Sequence, residues 1–149
     1  MLDIQLPSAR EFAEKVALAE AEEASKETRA QRQADLDKKA LLDQLQKPSG
    51  ISDEEAIERA IKMINGAVKN RLTEVQLHRF PNSLCTDNGR TINQMEAGWS
   101  KTLTGIPKEI YDLWERHFRD KGYKIRAEIV DFPGGMPGDV ALTLMWAED

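Results

Sequence analysis

The chain has 149 residues, 40% of them hydrophobic and 32% charged, with a net charge of −5. That length suits one domain, or one domain with an appendage, and a compact chain of this size buries enough surface for a real core, so a wholly disordered chain is excluded. No run approaches the ~18 consecutive apolar residues of a membrane span.

The 26 acidic residues outnumber the 21 basic ones, which disfavours nucleic-acid binding by the surface as a whole. The single cysteine, Cys85, excludes an intrachain disulfide and a multi-cysteine zinc site. The opening residues, Met1 to Pro7, lack the basic region and apolar core of a signal peptide, so a cytoplasmic protein is expected. No metal and no cofactor is expected.

Ser8 and Glu11 form a capping-box pattern, and no Gly or Pro follows until Pro48. The stretch between is rich in Ala, Glu, Lys, Gln, Arg and Leu, the strongest helix formers, and predicts one helix from about Ala9 to Leu45. Phe12, Val16 and Leu18 lie near its start, and Leu36, Leu41, Leu42 and Leu45 near its end; Ala19 to Asp35 contains no Leu, Ile, Val, Phe or Met. A heptad reading fails, because charged residues would fill its apolar positions. A long projecting helix is expected instead.

Lys47-Pro48-Ser49-Gly50 is the clearest boundary. It divides a region 1–46, with an N-terminal strand and the long helix, from a compact domain over 51–149. Ser52 and Glu55 repeat the capping box. Ile57, Ile61, Ile64, Val68, Leu72 and Val75 then trace one apolar face, predicting a helix from about Asp53 to Leu77. Turn signals at Pro81-Asn82-Ser83 and Asp87-Asn88-Gly89 follow, with a short helix expected over Thr91 to Ala97. Gly105-Ile106-Pro107 opens a third helix with Ile110, Leu113, Trp114, His117 and Phe118 on its inner stripe and Gly122 at its C-terminal cap.

The chain ends in two alternating runs. Tyr123, Ile125, Ala127 and Ile129 form one, and Val140, Leu142, Leu144 and Trp146 the other; together they predict an antiparallel hairpin with one buried and one wetter face. Two strands are marginal alone, so a third is expected from Leu2-Asp3-Ile4-Gln5-Leu6 or from a second copy. Ile125, Ile129, Leu142 and Leu144 are expected to face Leu113, Trp114 and Phe118.

Candidate chemistry is sparse. Cys85 with His78 or His117, oriented by Asp87, is the one conceivable nucleophilic set, and it has no supporting motif. Gly134 to Gly138 is followed by Asp139 and a strand, which is wrong for a phosphate loop. Arg59, Lys62, Lys69, Arg71 and Arg79 make a local basic excess that could track a phosphate backbone.

The expectation is therefore an α+β protein in which two main helices pack on a small antiparallel sheet behind a long N-terminal helix. The expected role is non-enzymatic interaction or assembly, with a protein partner or a second copy forming a homo-oligomer. Such helices also occur in components of larger particles, viral ones included. Phe12, Val16, Leu36, Leu41 and Leu45 on the helix, exposed Met136 and the terminal Trp146 are the candidate partner contacts. A nucleic-acid-binding protein using the basic helix is the alternative, and a hydrolase using Cys85 the third.

Overall fold

The structure is a computed structural model and describes residues 5–148. The chain forms two units, Met1–Leu41 and Leu42–Asp149. The anticipated strand at Leu2–Leu6 lies largely outside the described residues, and Leu6 itself is exposed.

Helix α1 runs Ala9–Gln46, 38 residues, about 57 Å at 1.5 Å per residue. Ser8 caps it, its hydroxyl accepting from the Glu11 N–H at 3.2 Å. The charge and alanine content that predict this helix also leave it with no buried residue among the described ones.

The second unit holds helix α2 (Asp53–Lys69), strand β1 (Glu74–Phe80), the short helix α3 (Arg90–Asn93), helix α4 (Gly105–Leu113), and strands β2 (Lys124–Ile129) and β3 (Val140–Met145). The fold is α+β. The sheet is antiparallel throughout, in the order β1-β3-β2.

The third strand thus takes its first four residues, 74–77, from the expected end of α2. The helix stops eight residues early, in a Schellman closure. Arg71 takes a left-handed φ of 60°, its N–H donates to the Val68 carbonyl at 2.9 Å, and the Leu72 N–H donates to Ala67 at 2.9 Å. A non-glycine residue in that conformation leaves no compositional mark.

The inward face of α2 is also rotated from the expected one. Ile57, Ala60 and Ile64 pack towards Leu144 and Phe118, while Ile61, Val68 and Leu72 are exposed. The alanine allows close approach of helix to sheet, so the bulkier residues fall on the margin.

Within the second unit the core lies on one face of the sheet, which carries Val75, His78 and Phe80 of β1, Val140, Leu142 and Leu144 of β3, and Ile125, Ala127 and Ile129 of β2. A bulge between Gln76 and His78 adds Leu77 to this side, where it packs near Leu144.

Two clusters divide this core. Leu144 packs with Ala60 and Phe118, joined by Leu113 and Trp114. Leu142 and Val140 pack instead with Phe80, Leu84, Ile92 and Leu103, joined by Ile129 and by Leu42 and Leu45. The third helix reaches both clusters, through Leu113 at the first and through Ile110 and Tyr111 at the second, and the segment 81–103 adds Leu84, Ile92 and Leu103 to the second. That segment is stitched down by Thr86 N–H to Thr102 O at 2.8 Å and Thr104 N–H to Leu84 O at 3.1 Å.

The side chains of β3 that point to the other face are buried as well, so the strand is buried along nearly its whole length. Ala141 and Thr143 are short, and long residues flank them: Gln76 and Arg79 on β1, Arg126 and Glu128 on β2. Arg126 bridges the sheet to Glu74 at 2.7 Å and to Glu128 at 3.4 Å. The wetter face expected for the hairpin is thus a polar roof over a dry central strand.

Candidate interaction surface

The expected partner contacts separate into distinct places. At 100° per residue, Phe12, Val16 and Leu41 fall on one face of α1, together with Ala19, Ala30 and Ala34. Leu36 lies about 140° round from Leu41, in line with Leu18 and off that face. Phe12, Val16, Leu36 and Leu41 are between 45% and 61% exposed.

Leu45 differs. It is half-buried and packs with Leu42 on the cluster of Leu142 and Phe80, so the last turn of α1 belongs to the core of the second unit. Gly105, at φ 61°, makes room for it: a Cβ there would lie 2.3 Å from the Leu45 carbonyl oxygen.

Trp146 is likewise half-buried within its own unit. Its N–H donates to Thr73 O at 3.0 Å, and its ring meets that of Tyr123 edge-on at 6.5 Å. Met136 is exposed with Phe132 on a loop held from below, where the Asp131 carboxylate accepts from the Asp139 N–H and Arg79 reaches both Asp139 at 3.0 Å and Asp131 at 3.4 Å.

Those two carboxylates occupy Arg79, and Glu55 occupies Arg59 at 3.1 Å. Arg71 sits in the turn after α2. Only Lys62 and Lys69 share an open face of α2, and Glu58 lies one turn from Lys62 on the same side.

A groove of about 410 Å³ lies between α2 and α4 in the second unit. Its floor is apolar, including Ala60, Leu77 and Ile110. Its polar rim is internally paired. Arg116 clasps Asp53 with bonds of 3.0 and 3.1 Å, and His117 Nε2 lies 2.8 Å from the same carboxylate. A π turn over Trp114–Phe118 brings these two consecutive side chains onto one acceptor, which takes His117 off the inner stripe expected for it. The bonds from His117 and Arg116 hold the Asp53 carboxyl below its usual range. Glu109 accepts from the Ser49 N–H at 3.1 Å, and Asp112 pairs with Lys108 at 3.6 Å. No open polar group converges on the floor among these rim residues.

Cys85 is buried, 2% exposed, and burial pushes its thiol up to about 11, the opposite of an activated nucleophile. Asp87 caps the turn into α3 instead of orienting an imidazole. It accepts from Thr91 Oγ1 and from the N–H groups of Thr91 at 2.9 Å and Gly89 at 3.0 Å. His78 stacks on Phe80 at 5.6 Å.

Among the described residues, no cluster of His, Cys, Asp and Glu could hold a metal ion, and no helix is long and apolar enough to cross a membrane. No family model, curated protein or solved structure matches the chain.

Proposed function

We propose that this is a non-enzymatic interaction or assembly protein, with α1 as its contact element and the α+β unit as the folded body that anchors it. One observation carries the reading: a 38-residue helix with no buried residue bears a line of large apolar side chains, Phe12, Val16 and Leu41, on a single face. An uncovered helix gains nothing from such a line, and most helical stability in proteins comes from packing an apolar face.

Two features of the body support a contact role over chemistry. Cys85 is dry with a raised thiol pKa, and the rim of the groove is closed by its own ion pairs.

The test is recovery of stably associated protein, further copies of the chain included, with tagged full-length chain from its native source. Replacing Phe12, Val16 and Leu41 by Ser is expected to abolish recovery while the melting of the second unit stays unchanged. Equal recovery by the variant contradicts the reading.

A further inference from the structure

The chain holds two Asn-Gly pairs, Asn65-Gly66 within α2 and Asn88-Gly89 in the turn before α3. Asparagine before glycine is the pair best able to modify itself. Glycine has no side chain to shield its nitrogen, or to limit the rotation that brings that nitrogen onto the asparagine side-chain carbonyl carbon.

Asn88 is exposed, yet the nitrogen that would attack it is held. The Gly89 N–H donates to Asp87 Oδ1 at 3.0 Å. An anionic acceptor favours the protonated nitrogen, whereas the reaction needs the deprotonated one. The peptides on either side are fixed as well. The Asn88 carbonyl accepts from Asn82 Nδ2 at 2.9 Å, and the Gly89 carbonyl accepts from the Asn93 N–H at 2.9 Å. Gly89 is also tightly packed, since a Cβ there would lie 3.3 Å from Ile129 Cδ1 and 3.4 Å from Asn82 Cβ. The nitrogen cannot turn towards Asn88 Cγ while the segment 81–103 is closed.

We propose that Asn88-Gly89 is a latent self-modification site, held shut by Asp87 and released when the segment 81–103 opens. In the open segment a solvent base takes the Gly89 amide proton, and the nitrogen closes on Asn88 Cγ. The bond from Cγ to the side-chain nitrogen breaks, and that nitrogen takes a proton and leaves as ammonia. Water then adds to either carbonyl of the succinimide and opens the ring, to aspartate or to isoaspartate. Isoaspartate routes the main chain through Cβ and lengthens it by a methylene, where Gly89 and Ile92 are buried. The turn cannot close on the longer chain as before, so a passing opening becomes a lasting one. Asn65 is the control within the same molecule, because α2 and not Asp87 holds the Gly66 nitrogen.

The test incubates the full chain at mildly alkaline pH. Peptide mapping by mass spectrometry reads amide loss at 88 and 65, and isoaspartyl methyltransferase labelling reads isoaspartate. The folded wild type is expected to lose the Asn88 amide at least roughly tenfold more slowly than the chain in urea. Asp87→Ala is expected to speed loss at 88 by roughly tenfold while the rate at 65 stays unchanged. Asp87→Asn keeps an acceptor for the turn without the charge, and is expected to fold as the wild type does and to lose the Asn88 amide faster than it. Thr91→Val removes a hydroxyl bond to Asp87 but leaves the Gly89 tie, and is expected to stay closer to wild type than Asp87→Ala.

Equal rates at 88 in the folded and the urea-unfolded wild type overturn the proposal. So does an unchanged rate at 88 in both Asp87 variants. Equal acceleration at 65 and 88 in those variants assigns the effect to unfolding of the whole unit and overturns Asp87 as the residue that holds the site shut.

Discussion

Replacing Leu142 by Ala tests the placement of the core. Leu142 lies on the central strand, 0% exposed, between His78 on β1 and Ala127 on β2. Removing three carbons forfeits about 2.4 kcal/mol of transfer energy at ~0.8 kcal/mol per group. The void cannot close well: Ala127 is too short to fill it, and the His78 ring is stacked on Phe80. The total then falls near 3–4 kcal/mol, within the ~2–5 kcal/mol range for such truncations. For a unit of about one hundred residues that is a drop of roughly 15 °C in Tm.

Thr143→Ala, one residue on, is the control. Thr143 is 4% exposed but sits beneath flexible side chains that settle into the gap, so its loss is expected to cost about 1 kcal/mol, or roughly 4 °C. Near-ultraviolet circular dichroism of the tryptophans follows the second unit, whereas the far-ultraviolet signal is dominated by α1. Equal shifts for the two variants, or no shift for Leu142→Ala, would refute the division into a helix-covered face and a polar roof.

Three further outcomes follow from single residues. Arg71→Gly relieves a left-handed backbone and is expected to raise stability by up to about 1 kcal/mol in a denaturant titration; a loss would contradict the Schellman closure. Gly105→Ala adds a strained φ and a contact of 2.3 Å with the Leu45 carbonyl oxygen; it is expected to cost at least ~2 kcal/mol and to speed amide exchange over residues 42–46. Burial holds the His78 imidazole below its ordinary 6.5, so the folded state resists protonation where the unfolded chain accepts it. Stability is full above that pH and declines as pH falls through it towards the folded pKa; His78→Leu is expected to flatten Tm against pH there, and an unchanged slope would assign the acid sensitivity to other groups.

Much of the architecture is legible in the residues. Ser8 and Ser52 mark two helix starts, the alternation in 123–129 and 140–146 marks the hairpin, and Gly122 caps the third helix with its φ of 92°. The third strand is illegible for a physical reason. Leu72 and Val75 prolong the spacing of Ile61, Ile64 and Val68 by coincidence, and the stop is an arginine in a left-handed turn closed by backbone hydrogen bonds and by the Asn70 amide donating to the Gly66 carbonyl at 3.2 Å.

Covered and bare apolar residues are also indistinguishable by type. Leu45 and Leu41 read alike, yet one packs on Leu142 and the other is open, because only the fold brings Gly105 beneath the last turn of α1. The pairing of Arg116 and His117 with Asp53 depends on a π turn that no local pattern announces. By contrast, the apolar line on α1 is present in the sequence, since Phe12, Val16 and Leu41 share a face at 100° per residue.

We propose α1 as the surface through which this protein makes contact. Amide hydrogen exchange over residues 12–41 tests it most directly, comparing the associated state recovered from the native source with the dilute free chain. Protection that rises at least tenfold along 12–41 in the associated state, and little over 47–148, is the predicted result. Unchanged exchange along α1, with the added protection confined to the α+β unit, would contradict it.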